Sequence, residues 1–420
     1  MNMSWLISLL IYPLILITNT EKVSYKGYNM YVISTENEEQ GRKLLAVQNQ
    51  NLKIHFLKQA VNSKLQGLTS VVVSPQSNAA FNAFLRKNNY DFQIITKDFE
   101  SLLKSEQPRS KRFAVSPNSI NFEEYHRHAK INSYLRSLAE TYPNITNLLS
   151  IGTTTEGREL LGLNISYNDK VKPMILIDAG IHAREWIAPA LALYIIQQLV
   201  ENSNNAKLIK NVDWIVIPLL NPDGYEYTHT TNRLWRKTRS RGKYCFGADP
   251  NRNFNFHWGE RGSSDDECSD IYRGSKPFSE PEIKAFRDLI LRYAANIKLS
   301  ISLHSFGQLI LHPWTYTTNL PANIKELNRL GIHVAETLKN ATKANYGVGP
   351  VSQVLYYAAG SNIDWIMAVA GINLTYVIEL PPQHDNTMQF ILPSRFIKDL
   401  VSKSFEGIKT FHEYIENVYV

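Results

Sequence analysis

Apolar positions along this chain recur with two periods, about 3.6 and 2, and their alternation separates a leader, a small domain and a large one. Met1–Thr20 carries the apolar run Trp5–Ile17, thirteen residues followed by small polar ones and no stop-transfer charge. That is too short to span a bilayer as a helix and has the shape of a secretory signal. From Glu21 the pattern predicts strand Tyr28–Ser34, helix Glu38–Gln50, strand Ile54–Leu57, strand Leu68–Val73, helix Asn78–Lys87 and strand Phe92–Thr96. This is the β-α-β-β-α-β order of a split βαβ unit. The polar linker Ser105–Arg112, SEQPRSKR, then ends in a dibasic pair.

Beyond the linker, strand-like runs Leu148–Gly152, Leu160–Ser166, Met174–Asp178, Trp214–Pro218, Lys298–Leu303, Leu309–Leu311 and Thr375–Leu380 alternate with helical ones. The helices expected are Asn121–Thr141, Glu185–Asn202, Glu280–Ala295, Ala322–Ala344, Asn362–Ala370 and Pro393–Val418. Such alternation predicts an α/β domain whose mixed sheet is sandwiched by helices, with ligands beyond the strand ends. The expected units are therefore a signal at 1–20, an α+β domain at 21–112 and the α/β domain at 113–420.

Composition narrows the function. A chain of 420 residues with 44% apolar residues fills two sizeable cores, and a net charge of +7 is modest for that length. Basic residues crowd in Asn232–Lys243, but no basic-aromatic repeat accompanies them, so a nucleic-acid partner is not expected. No later run reaches membrane-spanning length, which points to a protein exported to the extracellular space with no membrane partner. In that oxidising compartment the two cysteines, Cys245 and Cys268, most simply form one disulfide, two free thiols being the alternative. The basic linker, lying between a domain without clustered chemistry and a larger one, reads as a cleavage site for a trypsin-like protease after Arg112.

The chemistry starts at Pro173–Trp186, PMILIDAGIHAREW. A buried-strand run breaks at Gly180 and presents His182 and Glu185 three residues apart at a strand-to-helix corner. Such a pair suits two ligands of Zn²⁺. Among eleven histidines, His304 alone ends a strongly patterned strand, IKLSISLHS, and is the candidate third ligand. Two His, one Glu and a water make the open tetrahedral site used in hydrolysis.

HAREW, the distant His304-Ser305, NRLWRKTRS (Asn232–Ser240), DPNRNF (Asp249–Phe254), YYAAGSNIDW (Tyr356–Trp365) and IEL (Ile378–Leu380) occur in one order. Together they resemble the blocks of A/B-type zinc metallocarboxypeptidases. The resemblance runs from about Tyr28 to the C-terminus and includes the prodomain, the basic linker and the single disulfide. It implies a carboxypeptidase-like fold, one Zn²⁺ per chain on His182, Glu185 and His304, and Asp249 as the carboxylate orienting a zinc histidine. It implies hydrolysis by a zinc-activated water, with Glu379 as general base and Arg236 stabilising the oxyanion. Asn251 and Arg252 would clamp the substrate carboxylate, Tyr356 would close over it, and Arg184 and Arg233 would support the peptide further along.

Family members that remove Lys or Arg usually place Asp where this chain has Ile363, so aromatic or large aliphatic residues are the expected products. Thr315, Phe306 and Pro381-Pro382 depart from the family pattern around that pocket. The expected partners are peptide and protein C-termini and an activating trypsin-like protease, with the enzyme a monomer. A catalytically inactive peptide-binding homologue and a zinc amidohydrolase of related fold are the alternatives. Intact zinc, base and carboxylate positions oppose the first, and the prodomain with the complete clamp opposes the second.

Overall fold

The computed structural model describes residues 21–47, 53–58, 67–106, 119–167, 170–381 and 389–420. The leader, the linker from Gln107 to Arg112, and Pro382 lie outside the described residues. No helix among the described residues is long and apolar enough to cross a membrane.

The small domain holds strands β1 (Asn29–Thr35), β2 (Ile54–Lys58), β3 (Gly67–Val73) and β4 (Asp91–Thr96). They form a four-stranded sheet in the order β2-β3-β1-β4, antiparallel throughout. Helices Glu38–Ala46 and Pro75–Lys87 are capped by Asn37 and Ser74, whose side chains accept from the backbone amides of Gln40 and Ser77. Leu44, Phe81 and Leu85 from these helices meet Tyr31, Ile33, Val71 and Val73 in one core. Phe99–Ser105 is a further helix that the apolar pattern did not announce.

The large domain holds β5 (Thr146–Thr153), β6 (Glu159–Ile165), β7 (Met174–Ala179), β8 (Asp213–Ile217), β9 (Ile297–Ser305), β10 (Leu309–His312), β11 (Gly347–Pro350) and β12 (Leu374–Leu380). Their order is β11-β10-β12-β9-β7-β8-β6-β5. The centre, β12-β9-β7-β8, is parallel, whereas β10 on β12 and β6 against β5 and β8 are antiparallel. The sheet is mixed, as expected. Helices Pro222–Thr230 and Val351–Val354 and strand β11 were not expected. The first helix begins at His128 rather than Asn121, and the one after β7 begins at Ile187 rather than Glu185.

Alternation along the central strands sorts two cores. Ile175, Ile177 and Ala179 of β7 with Leu299, Ile301 and Leu303 of β9 face one side. There they meet helices His128–Thr141, Ile187–Val200, Ile324–Thr342 and Ile397–Tyr419. Met174 and Leu176 face the other side, against Ile283, Phe286, Leu289 and Ile290 of helix Pro281–Tyr293 and Ile366 of helix Asn362–Ala368. A buried leucine or isoleucine contributes roughly 1.5–3 kcal/mol, so these two layers hold the sheet rigidly. On the second side, however, the pattern turns polar towards the strand ends: Asp178, Ser302 and His304 continue the phase of Leu176. That break in the apolar face is where the site begins.

Candidate metal centre and substrate cleft

The corner after β7 depends on Gly180, which adopts a φ of +66° and leaves no room for a side chain. A Cβ there would lie 2.7 Å from Leu219 Cδ1. The following residues are pinned to a second segment: Ala183 N donates to Arg236 O, and Asn221 Nδ2 donates to the carbonyls of Ile181 and Lys237. His182 and Glu185 therefore sit on a corner fixed from two sides. β9 lies next to β7 and brings His304 to the same place.

Three ligand atoms converge there, and the side chains are buried. His182 Nδ1 is 2.9 Å from Glu185 Oε1, His304 Nδ1 is 3.0 Å from Glu185 Oε2, and the two Nδ1 atoms are 3.1 Å apart. A tetrahedral ion with bonds of about 2.0–2.2 Å spaces its ligands a little over 3 Å apart, so this donor set fits Zn²⁺. The electrostatics agree. Burial alone would raise the Glu185 carboxyl, but His182 and His304 hold it well below its ordinary value. Burial would lower His304, yet Glu185 and then Glu379 push it up to about 9. At His182, burial and then Arg236 win and its pKa falls. The carboxylates thus favour added positive charge beside His304, which a divalent cation supplies.

Asp249 links this centre to the neighbouring segment. Its Oδ1 lies 3.2 Å from His182 Nε2, and its Oδ2 accepts from Arg236 Nε and Nη2 at 3.1 and 2.8 Å. Burial would raise its pKa, but Arg236, Arg252 and His182 hold it well below the usual carboxylate range. It stays anionic and orients both an imidazole and a guanidinium. Glu379 ends β12 directly in register with His304 on β9, so a second carboxylate flanks the centre.

The remaining predicted residues surround it. Arg252 is fixed by donating to Gly262 O and Asn251 O, and its guanidinium lies 5.7 Å from the ring of Tyr356. Tyr356 is 38% exposed, a large aromatic left open beside the Arg252 guanidinium. Asn251 Oδ1 accepts from Asn362 N. Ile363 is buried in an apolar cluster with Leu311, Val351 and Val377, to which Val354 and Leu355 add. The adjacent carboxylate, Asp364, accepts from Thr315 N and Oγ1 and from Tyr316 N, and burial pushes it up to about 7. Arg184 donates to Leu234 O and stacks 4.6 Å from the ring of Phe390, which itself meets Phe306 edge-on. Cys245 and Cys268 are joined by a disulfide.

Arg233 has a partner that sequence reasoning missed. Its Nε and Nη2 clasp Glu106 of the small domain at 2.7 and 2.6 Å, with side-chain exposures of 4% and 1%. Around this bidentate pair, Tyr25, Met30, Leu57, Val72 and Phe99 of the small domain pack with Leu234, Phe390 and Ile391. Tyr25 Oη donates to Asn232 Oδ1, and Val23 N to Thr231 O. The small domain therefore lies against the same segments that carry Arg184, Arg233 and Phe390.

A mixed sheet with a His-Glu-His cluster at its strand ends, a carboxylate beside it and a covering domain define a zinc-dependent peptidase with its activation domain attached. The chain belongs to the zinc carboxypeptidase family: the family model described as zinc carboxypeptidase matches residues 131–407, and that described as carboxypeptidase activation peptide matches residues 31–106. It is similar to carboxypeptidase B of Astacus astacus, 41% identical over 71% of this chain and 100% of the relative. It is also similar to zinc carboxypeptidase A 1 of Drosophila melanogaster, 35% identical over 90% of each chain. Among solved structures, carboxypeptidase A from Helicoverpa armigera superposes with a TM-score of 0.87 at 28% identity, covering 95% of this chain and 99% of the other. The protein is thus a zinc metallocarboxypeptidase made with an activation peptide.

The ligand set makes a direct prediction. The purified full chain should contain about one zinc per molecule, and His304→Ala should lose it, since three protein ligands are the minimum of such an open site. Elemental analysis decides the matter; full zinc retention in His304→Ala would remove His304 from the ligand set.

Proposed function

We propose that residues 113–420, released by a trypsin-like cut after Arg112, remove aromatic or large aliphatic residues from the C-termini of peptides and proteins outside the cell. Zinc would supply Lewis acidity for water and the scissile carbonyl. Glu379 takes a proton from the attacking water and delivers it to the departing amine. Arg236, held in place by Asp249, stabilises negative charge on the carbonyl oxygen. Asn251 and Arg252 bind the substrate's terminal carboxylate, Tyr356 closes over it, and Arg184 and Arg233 meet the peptide upstream.

The observation that carries the specificity is the wholly aliphatic cluster around Ile363, comprising Leu311, Val351, Val377, Val354 and Leu355. Among the described residues this cluster offers a cationic side chain no charge partner, because Asp364 is already committed to Thr315 and Tyr316. The relatives' names include both A and B types, so the reading rests on these walls rather than on the names. The disulfide and the apolar leader support export.

Glu379→Gln should keep its zinc while kcat falls roughly 10²- to 10⁴-fold, the usual loss with a general base. Ile363→Asp should keep its activity but shift kcat/KM from C-terminal Phe and Leu towards Arg and Lys. Peptides differing only in the last residue report both; a wild type preferring Arg over Phe and Leu would defeat the specificity reading alone.

In the uncut chain, Glu106 occupies Arg233 and the small domain covers the cleft rim. Removing one partner of such a pair strands a buried charge, at a cost of about 3–5 kcal/mol. Uncut Glu106→Ala should therefore hydrolyse peptides faster than the uncut wild type, while the two should match after cleavage. Equal rates before cleavage would show that this contact does not hold the small domain in place.

A further inference from the structure

We propose that Asp178 and Ser302 are positioning residues for the metal centre, together setting the tautomer in which His304 meets zinc. The inference rests on the zinc site itself, not on the roles given to Glu379 or Ile363. Asp178 on β7 and Ser302 on β9 are register partners, and His304 follows Ser302 two residues along the same strand. All three side chains therefore rise from one face of the sheet.

The hydrogen bonds run in one direction. Asp178, with its carboxylate oxygens as acceptors, takes the Ser302 hydroxyl proton on Oδ2 at 2.8 Å. A hydroxyl has one proton, so the remaining lone pairs of Ser302 Oγ must accept. They face Asn362 Nδ2 at 3.1 Å and His304 Nε2 at 3.2 Å. The Asn362 amide is fixed in this orientation because its Oδ1 accepts from Ile363 N at 2.8 Å. His304 Nε2 is thereby left as a donor, so that with zinc bound Nδ1 would present its lone pair to the space shared with Glu185 and His182. His182 is oriented by one carboxylate in direct contact, Asp249; His304 is oriented by another through a hydroxyl.

Packing alone does not account for Asp178. It is fully buried on the strand face where Met174 and Leu176 are apolar. Among the described residues its Oδ1 has no hydrogen-bond partner, while its Oδ2 accepts from Ser302. Were the acceptor lost, the Ser302 proton would be free to turn to His304 Nε2. That would select the imidazole with its proton on Nδ1, aimed at the ligand cluster, and the proton would have to leave before zinc could bind.

The test uses the full chain with Asp178→Leu, which keeps a similar size but removes the acceptor, and Ser302→Ala, which removes one oxygen. Zinc affinity is measured by competition with a chromophoric chelator, after circular dichroism has established that each variant is folded. Either variant should bind zinc about 10- to 100-fold more weakly than wild type, the usual effect of losing an outer partner of a metal histidine. Nitrogen-15 spectra of the zinc-loaded, histidine-labelled chain should show the His304 Nε2 proton protected from exchange in the wild type and exchanging faster in both variants. A purely structural role would leave that exchange unchanged. Should Asp178→Leu not fold, Ser302→Ala carries the test. Affinities within about twofold of wild type in the folded variants, or a wild-type His304 that meets zinc through Nε2, would overturn the proposal. Neither result would touch the zinc assignment, which His304→Ala tests separately.

Discussion

Two imidazole nitrogens and a carboxylate held about 3 Å apart and away from water are tolerable only if positive charge joins them. Much of the molecule serves that arrangement. The parallel strands β7, β9 and β12 end together, which places His182, Glu185, His304 and Glu379 around one point without help from a long loop. Two apolar layers clamp those strands, so the ligands inherit the rigidity of the sheet. Outside them stand Asp249, Arg236 and Ser302, each fixing a group that must keep its direction.

The same geometry explains how the activation domain can restrain the enzyme without touching the ligands. It packs on Leu234 and Phe390 and pairs Glu106 with Arg233, features of the cleft wall rather than of the metal centre. Such a cover leaves the metal ligands already placed before cleavage. Activation then becomes a matter of uncovering a formed site, consistent with a domain joined by a basic linker.

The main elements of the fold were legible because they obey simple periods. The apolar run Met174–Ile177 of β7 and the strand IKLSISLHS announced a buried parallel centre, and Gly180 announced the corner. Short elements escaped: Pro222–Thr230 is built around an Asn221 cap with a polar sequence, and Gly347–Pro350 is a strand only because β10 pairs with it. Of the site, His182, Glu185 and His304 could be argued from position, whereas Asp249, Arg252 and Glu379 became meaningful only through the order of the blocks. Glu106 with Arg233 joins residues 127 apart, a pairing no local pattern can contain. Asp178 did leave a signal, a lone carboxylate ending an otherwise apolar strand, but its use became visible only once Ser302 stood opposite.

The central claim is that these strand ends form a zinc-dependent exopeptidase uncovered by cleavage. The direct measurement is mass spectrometry of a peptide ending in Phe, incubated with the chain cut after Arg112, with and without a zinc chelator. The account predicts loss of single residues from the C-terminus, abolished by the chelator and restored by added zinc. Internal cleavage, or C-terminal release that persists with all zinc removed, would contradict it.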